Sequence, residues 1–549
     1  MPPTPRKKAK IAHPTEPEGP VASLKASGRV RDNGAIYPAF SGPTPETRLA
    51  EGPWRRLPDE LLAEIFLFVG QPDIDMDPDN ATQVFRSDNE DCALLLVQIC
   101  RYWRNVALGT RRLWNHITIT VREHALQFAP SERVKLWLQR AGNHVPLFIT
   151  LGWNNAGLRH VRSVLELLKP AAVVRRIAGL QIKFFHVGPR SLPSGRYLVP
   201  APARRSILVA PQGLDEETSA TIGRLIKEAP RLRFLSWDLP QNLFERLWVQ
   251  LESLRACRAP LERLAIADLR TAYTSNRESY WRVLNFNPLT AVSISNTFEL
   301  GALLDLLESA ASLHTLHIVD RAVAFRDAMR TATSNSLRRL RLRHFSMSRL
   351  AALLSHLTLP QLDDLAIEMP QRDVLPVDLP QIIADLFTRS KCTVRHLTFT
   401  ELSGKYIPAL STADIASCLA HAACRTLTTL RVERSSLCGA VDDLLLYLAY
   451  SDKPGTEYND AYPNPHLTRL RLVQAECKPG VFLQSVVSRL SLYPVKEDGT
   501  LAPHAKLRLL ELVAGPDLPA SEAESLRRLE QTFASFKVEM FKSDGITRL

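Results

Sequence analysis

The chain has 549 residues, which is too many for one compact core, while its 45% hydrophobic and 23% charged residues are ordinary for a globular protein. No stretch approaches the roughly 20 consecutive apolar residues of a membrane span, and the N-terminus has no signal-peptide core, so we expect no membrane association and a cytoplasmic or nuclear location. The net charge of +12 is spread through residues 116–549 and no aromatic-rich basic motif accompanies it, so it argues weakly for acidic partners and does not by itself indicate nucleic acid.

Residues 1–50 are rich in Pro, Gly, Ser and charged residues, and we expect a disordered basic tail. Within it, Arg6 to Lys10 resembles a short nuclear-import signal, and a solvated basic tail is the equal alternative.

Two apolar helices are predicted next. The first begins at Pro58 and Asp59 and is amphipathic, with apolar residues at Leu61, Leu62, Ile65, Phe66 and Val69. The second runs from Cys92 to about Ala107. An acidic insertion over residues 71–91 separates them. Its alternating aspartates do not make a calcium loop, because Pro78 stands where an EF-hand requires glycine.

The order of these motifs resembles an F-box, and is closest to the F-box-like domains of fungal proteins. The resemblance covers residues 54–119 and includes Leu113 and Trp114 before a strand. It implies a three-helix module that docks on a Skp-type adaptor and, through it, on a cullin. Carried over by position, the adaptor contacts are Leu57, Pro58, Leu61, Ile65, Val97, Cys100 and Trp103. For Trp114 we expect packing within the module.

From residue 177 onward the pattern L-x-x-L-x-L recurs. After a gap of 55 residues from Ile177 to Leu232, spacings of 24 to 29 residues up to Leu362, and of 32 to 40 beyond it, are typical of leucine-rich repeats with inserted loops. We therefore predict a fold that is mainly α with α/β repeats, in which residues 120–549 form a solenoid with a curved parallel sheet. The eleven instances begin at Ile177, Leu232, Leu261, Leu289, Leu313, Leu337, Leu362, Val394, Leu427, Leu467 and Leu507.

In each predicted strand the residues between the leucines point to the concave surface of the sheet. This places several arginines there as candidate target-binding residues: Arg339, Arg341, Arg343, Arg431, Arg469 and Arg471. Arg339, Arg341 and Arg343 form either a basic site for an acidic or phosphorylated segment, or ion pairs with the neighbouring row of Asp364 and Glu368. The basic loop 187–213 is likewise either a contact loop or a disordered excursion.

The sequence has no catalytic motif, and the nearest approach to a metal cluster, Cys418, His421 and Cys424, lacks a fourth ligand. We expect neither enzyme activity nor a cofactor. The resemblance implies a substrate receptor of a Skp–cullin–F-box ubiquitin ligase whose repeats hold a target protein. The alternatives are a leucine-rich-repeat binding scaffold without a ligase partner and, less favoured, a nuclear nucleic-acid or chromatin binder.

Overall fold

A computed structural model gives the arrangement of the chain. Residues 1–57 form one unit, of which only Leu57 is described, and residues 58–549 form a second compact unit. The described residues are 57–70, 90–121, 130–153, 158–184, 215–238, 260–267, 288–295, 300–320, 330–369, 378–401, 411–434, 442–449, 464–473, 481–491, 507–513, 520–532 and 537–541.

The second unit is built on one large parallel sheet of fourteen strands that follow one another in chain order. A separate parallel pair is formed by β8 (Ala332–Thr333) and β10 (Leu357–Thr358). The fourteen strands are β1 (His116–Val121), β2 (Leu147–Trp153), β3 (Ile177–Phe184), β4 (Phe234–Asp238), β5 (Arg263–Ala267), β6 (Ala291–Ser295), β7 (Thr315–Val319), β9 (Arg339–Arg343), β11 (Asp364–Met369), β12 (His396–Glu401), β13 (Thr429–Arg434), β14 (Arg469–Val473), β15 (Leu509–Val513) and β16 (Lys537–Phe541).

Helices connect many of these strands, because in a parallel sheet the chain must return to the same end of the sheet before the next strand starts. Short 3-10 turns lie at Arg111–Trp114 and Ala422–Cys424. The helices are α1 (Asp59–Gly70), α2 (Glu90–Ile99), α3 (Arg101–Gly109), α4 (Pro130–Ala141), α5 (Leu158–Leu168), α6 (Ala171–Val174), α7 (Glu216–Glu228), α8 (Leu300–Ser309), α9 (Met347–Ser355), α10 (Leu379–Ser390), α11 (Thr412–Ala420), α12 (Asp442–Leu448), α13 (Val481–Ser491) and α14 (Ala520–Thr532).

The helices pack on one face of the sheet. Leu340 and Leu342 of β9 are buried in the same core as Leu350 and Leu353 of α9. The alternate strand residues point to the opposite face, which we call the open face. This architecture is α/β and is compatible with a repeat solenoid, so the expectation of a mainly α fold is too narrow.

Each of the eleven sequence repeats coincides with a strand of the sheet. Ten of them begin two residues before their strand, as Leu313 does before β7, and Ile177 begins β3 itself. The predicted repeat is therefore confirmed as strand positions in one parallel sheet. Three strands of that sheet, β1, β2 and β16, lie outside the predicted series.

The N-terminal helices and the repeats share one hydrophobic core. Leu62 and Phe66 of α1 belong to one continuous hydrophobic core that extends as far as Val538 of β16. The connection passes through Trp114, whose ring meets that of Trp137 in α4 edge to face at a centroid distance of 5.1 Å. Because the core is shared, α1 to α3 gain stability from the sheet they adjoin.

Within the described ranges, no helix is both long enough and apolar enough to cross a membrane.

Candidate protein-binding surfaces

Pro58 directly precedes helix α1, and its carbonyl accepts the first helical hydrogen bond from Leu62 N at 3.1 Å. Asp59 and Glu60 in the first turn interact favourably with the positive end of the helix dipole. The helix has apolar residues on two faces. Leu62 and Phe66 face the core. The other apolar face is open to solvent.

That exposed face consists of residues at the helical spacings i, i+4, i+7 and i+8, which fall on one side of an α-helix. Phe68 is 86% exposed, which is unusual for a phenylalanine in a folded protein. Helix α2 packs against α1 and also leaves two apolar side chains exposed one turn apart. We call this set the apolar helix face; it comprises Leu61, Ile65, Phe68 and Val69 of α1 with Leu95 and Ile99 of α2.

The predicted adaptor contacts divide into two groups. Pro58, Leu61 and Ile65 are exposed, in agreement with a contact role. Leu57 is half-exposed and belongs to the first unit.

The remaining three predicted contacts are half-buried and hold the helices together. Cys100 is the N-cap of α3, and its Sγ accepts a hydrogen bond from Trp103 N at 3.4 Å. The Trp103 ring lies 5.0 Å from that of Phe66, centroid to centroid, and Val97 packs against the core. Their contact with an adaptor stays a prediction. The sequence prediction did not include Phe68, Val69, Leu95 and Ile99, whose exposure depends on which faces α1 and α2 turn to the core.

Polar contacts fix the arrangement of these helices. The Tyr102 hydroxyl donates to Asp59 Oδ1 at 2.8 Å, and this hydrogen bond raises the pKa of Tyr102. Arg104 Nε donates to the Val97 carbonyl at 2.8 Å, at the end of α2. Trp114 is fully buried and its Nε1 donates to the Ala107 carbonyl at 2.8 Å, so its role is packing, as expected from the sequence.

The open face of the sheet changes in character along the chain. In its middle row, the polar side chains of β2 to β7 are buried; they are Thr150, Gln181, Ser236, Ser293 and His317. From β9 onward the same row is partly accessible, as at Arg341, Thr398 and Arg431. In this middle row, the part that a partner can reach is therefore β9 to β15.

The buried row is joined by hydrogen bonds between side chains of adjacent strands. Thr150 Oγ1 donates to Gln181 Oε1 at 3.2 Å, and Ser293 Oγ lies 3.3 Å from His317 Nδ1. Burial, assisted by Arg343 and Arg341, lowers the pKa of His317 to about 3. This histidine is thus neutral at physiological pH.

A second histidine lies at the beginning of the sheet. His116 stacks on Phe148 with ring centroids 4.7 Å apart, and burial lowers its pKa to about 4. Phe148 is followed across the sheet by Phe234, with Arg263 over the latter ring at 5.3 Å. These contacts stabilise the edge of the open face.

Two of the candidate arginines lie on β9 and form ion pairs. Arg343 Nε lies 2.5 Å from Glu368 Oε2, and Arg341 NH2 lies 3.8 Å from Asp364 Oδ2, both across to β11. Burial raises the pKa of Asp364, against the opposing influence of Arg341. The neutralisation across neighbouring strands that the sequence offered as one alternative is present.

The arginines of β13 and β14 are also paired. Arg431 Nε donates to Glu433 Oε1 at 2.6 Å on its own strand, and Arg471 NH1 donates to Glu511 Oε2 at 2.9 Å on β15. Arg339 and Arg469, in contrast, are exposed at the first positions of β9 and β14.

The residues that most resembled a metal cluster have other roles. Cys418 and Cys424 are buried, and burial raises the pKa of each thiol to about 12. His421 Nδ1 accepts from Ala423 N at 3.1 Å, while its Nε2 lies 3.0 Å from Thr388 Oγ1. The described residues contain no group of three or more potential metal ligands.

Several predictions lie outside the described residues. These are the basic tail with Arg6 to Lys10, nearly all of the acidic insertion 71–91, and the loop 187–213.

No family model matches the chain, and no curated protein matches its sequence. Among solved structures, the crystal structure of the Rad7 and Elc1 complex in yeast contains a chain that matches 90% of this one over 96% of its own length. The two share 12% sequence identity and superpose with a TM-score of 0.34. A similarity at this level carries no argument about the function of this chain.

Proposed function

We propose that this protein is a non-catalytic substrate receptor of a Skp–cullin–F-box ubiquitin ligase. The observation that carries the proposal is the apolar helix face. Soluble proteins rarely leave several large apolar side chains exposed together unless a partner covers them. The resemblance of residues 54–119 to an F-box gives the partner's identity, a Skp-type adaptor, and the leucine-rich repeats of the sheet would present the target protein.

In this role the chain contributes binding and positioning, and no bond-making step. The adaptor and cullin would bring a ubiquitin-charged enzyme close to a target held on the open face of β9 to β15, where effective concentration accelerates transfer. The receptor acts in the cytoplasm or nucleus. Nucleic acid is a poor fit to the open face, because Asp364, Glu368, Glu433 and Glu511 alternate with its arginines and would repel phosphates.

The test is co-purification of the intact chain with a purified Skp-type adaptor. A Leu61→Glu and Phe68→Glu double variant places two charges on the apolar helix face. Covering each of these side chains stabilises a complex by about 2 kcal/mol, so we expect at least a 100-fold loss of affinity. A matched control is Leu446→Glu on α12, since Leu446 is 52% exposed and Leu61 is 53% exposed.

Failure of the folded wild-type chain to retain the adaptor would remove the ligase assignment and leave a binding scaffold. Equal retention of the adaptor by the double variant and the control would place the adaptor interface elsewhere.

A further inference from the structure

The charged residues on the accessible open face are unequal in number. Between β9 and β15 this face carries six arginines, Arg339, Arg341, Arg343, Arg431, Arg469 and Arg471, against four carboxylates, Asp364, Glu368, Glu433 and Glu511. Each of the four carboxylates is already engaged by an arginine of the same face: Arg341 with Asp364, Arg343 with Glu368, Arg431 with Glu433, and Arg471 with Glu511. A bound partner would have to break these pairs to use those four arginines.

Arg339 and Arg469 differ from the other four. Both are exposed, and neither forms an ion pair with a carboxylate of the described ranges. They also share one row of the sheet, because the strand register runs from Arg339 through Asp364, His396 and Thr429 to Arg469. Arg339 stands beside Asp364 in the register and attracts that carboxylate without forming an ion pair with it. Within the described residues, therefore, neither arginine has to give up an ion pair in order to bind an anion.

The spacing of the two arginines follows from the sheet. Four strand-to-strand steps separate β9 from β14, and strands lie about 4.8 Å apart, so the two Cα positions are roughly 19 Å apart. An extended peptide advances about 3.3 Å per residue. Two acidic side chains about six residues apart in such a peptide would reach both arginines at once.

We propose that the open face binds an acidic, extended peptide segment of a partner protein that crosses strands β9 to β14. A carboxylate near each end of the segment pairs with Arg339 and Arg469. This inference rests on the proposed function in assigning the open face to the target, and it narrows the six candidate arginines to two contacts.

The residues between the two arginines suit a peptide. His396 and Thr429 are half-buried and carry no fixed negative charge. Asp364 has a side chain only 14% exposed and is held by Arg341, so it opposes an acidic segment weakly. A nucleic-acid backbone, with a phosphate at every nucleotide, would instead meet all four carboxylates of the face.

The test selects peptides from a random display library on the full-length chain and, in parallel, on an Arg339→Gln and Arg469→Gln double variant. No adaptor is present, so the selection can succeed even if adaptor binding fails, and the reverse. We expect peptides enriched only on the wild type to carry two acidic residues five to seven positions apart. For one such peptide, each single Arg→Gln change should weaken binding about tenfold.

Arg224→Gln is the matched control, because Arg224 is an exposed arginine on α7, away from the open face. It should leave the affinity unchanged. The proposal is overturned if the enriched peptides lack the acidic pair, if the double variant enriches the same peptides, or if Arg224→Gln weakens binding equally. It is also overturned if a single-stranded oligonucleotide binds more tightly than the peptides and loses its affinity in the double variant.

Discussion

Replacing Trp114 by alanine should destabilise the N-terminal helices and the first strands of the sheet together. The Trp114 ring is fully buried, donates a hydrogen bond to Ala107 and packs edge to face on Trp137, with Arg140 4.3 Å from its centroid. Truncating a buried tryptophan to alanine costs about 3–5 kcal/mol. Because one core spans both regions, neither can keep its packing when this ring is removed.

Hydrogen–deuterium exchange measures this effect region by region, which suits a repeat architecture in which a single unfolding free energy is poorly defined. A loss of about 3–5 kcal/mol corresponds to exchange that is faster by about two to three and a half orders of magnitude. We expect this acceleration in residues 59–70 and 90–109 and in residues 116–121 and 130–153. Faster exchange confined to α1 to α3, with unchanged protection in β1 and β2, would show that the cores are separate and refute the reasoning.

Three further outcomes follow from the structure. In the folded chain, the pKa values of His116 and His317 are lowered to about 4 and about 3, so the unfolded chain binds more protons below pH 6.5. The free energy of unfolding should therefore fall, between pH 6.5 and 4, by up to about 1.4 kcal/mol per pH unit for each histidine. Denaturant titrations of His317→Asn should show a shallower fall with decreasing pH, and a slope identical to that of the wild type would contradict the assignment. The raised pKa of Asp364 acts in the opposite sense, since the folded chain then holds that proton more tightly. Asn464 has φ +53, and its side chain donates to the Leu419 and Cys424 carbonyls at 3.1 and 2.9 Å. In denaturant melts, Asn464→Ala should lower the free energy of unfolding by about 2–4 kcal/mol, and Asn464→Gly by about 1 kcal/mol less, because glycine adopts a positive φ without strain. Equal losses of stability in the two variants would mean that backbone strain plays no part. Cys418 and Cys424, buried with pKa values of about 12, should resist alkylation at pH 8 until the chain unfolds, and rapid labelling of the folded protein, detected by mass spectrometry, would be inconsistent with their burial.

The sequence predicted the strands well because each repeat places leucines at fixed positions that must point into a common core. Leu313, which precedes β7, is buried in that core together with Leu316 and Ile318 of the strand itself. The strands it missed break the spacing. In β1 a 3-10 turn at Arg111–Trp114 puts one additional residue between Leu113 and the first inward isoleucine, Ile117.

The candidate surfaces were less predictable, since they depend on which side chains remain outside the core after packing. Phe66 and Phe68 are two residues apart in one helix, yet one is buried and the other is 86% exposed. Similarly, six arginines looked equivalent in the sequence. Only the folded contacts distinguish Arg341, whose Nη2 lies 3.8 Å from Asp364 Oδ2, from Arg469, which forms no ion pair within the described strands.

The central claim is that the apolar helix face binds the Skp-type adaptor, and hydroxyl-radical footprinting of the intact chain tests it most directly because it reports on individual side chains. In the free protein, Leu61, Phe68 and Leu95 should be readily oxidised, since all three are exposed. We predict that adding the adaptor protects these residues while Leu446 on α12 remains equally reactive. Undiminished oxidation of Leu61, Phe68 and Leu95 in a complex that has demonstrably formed would contradict the account.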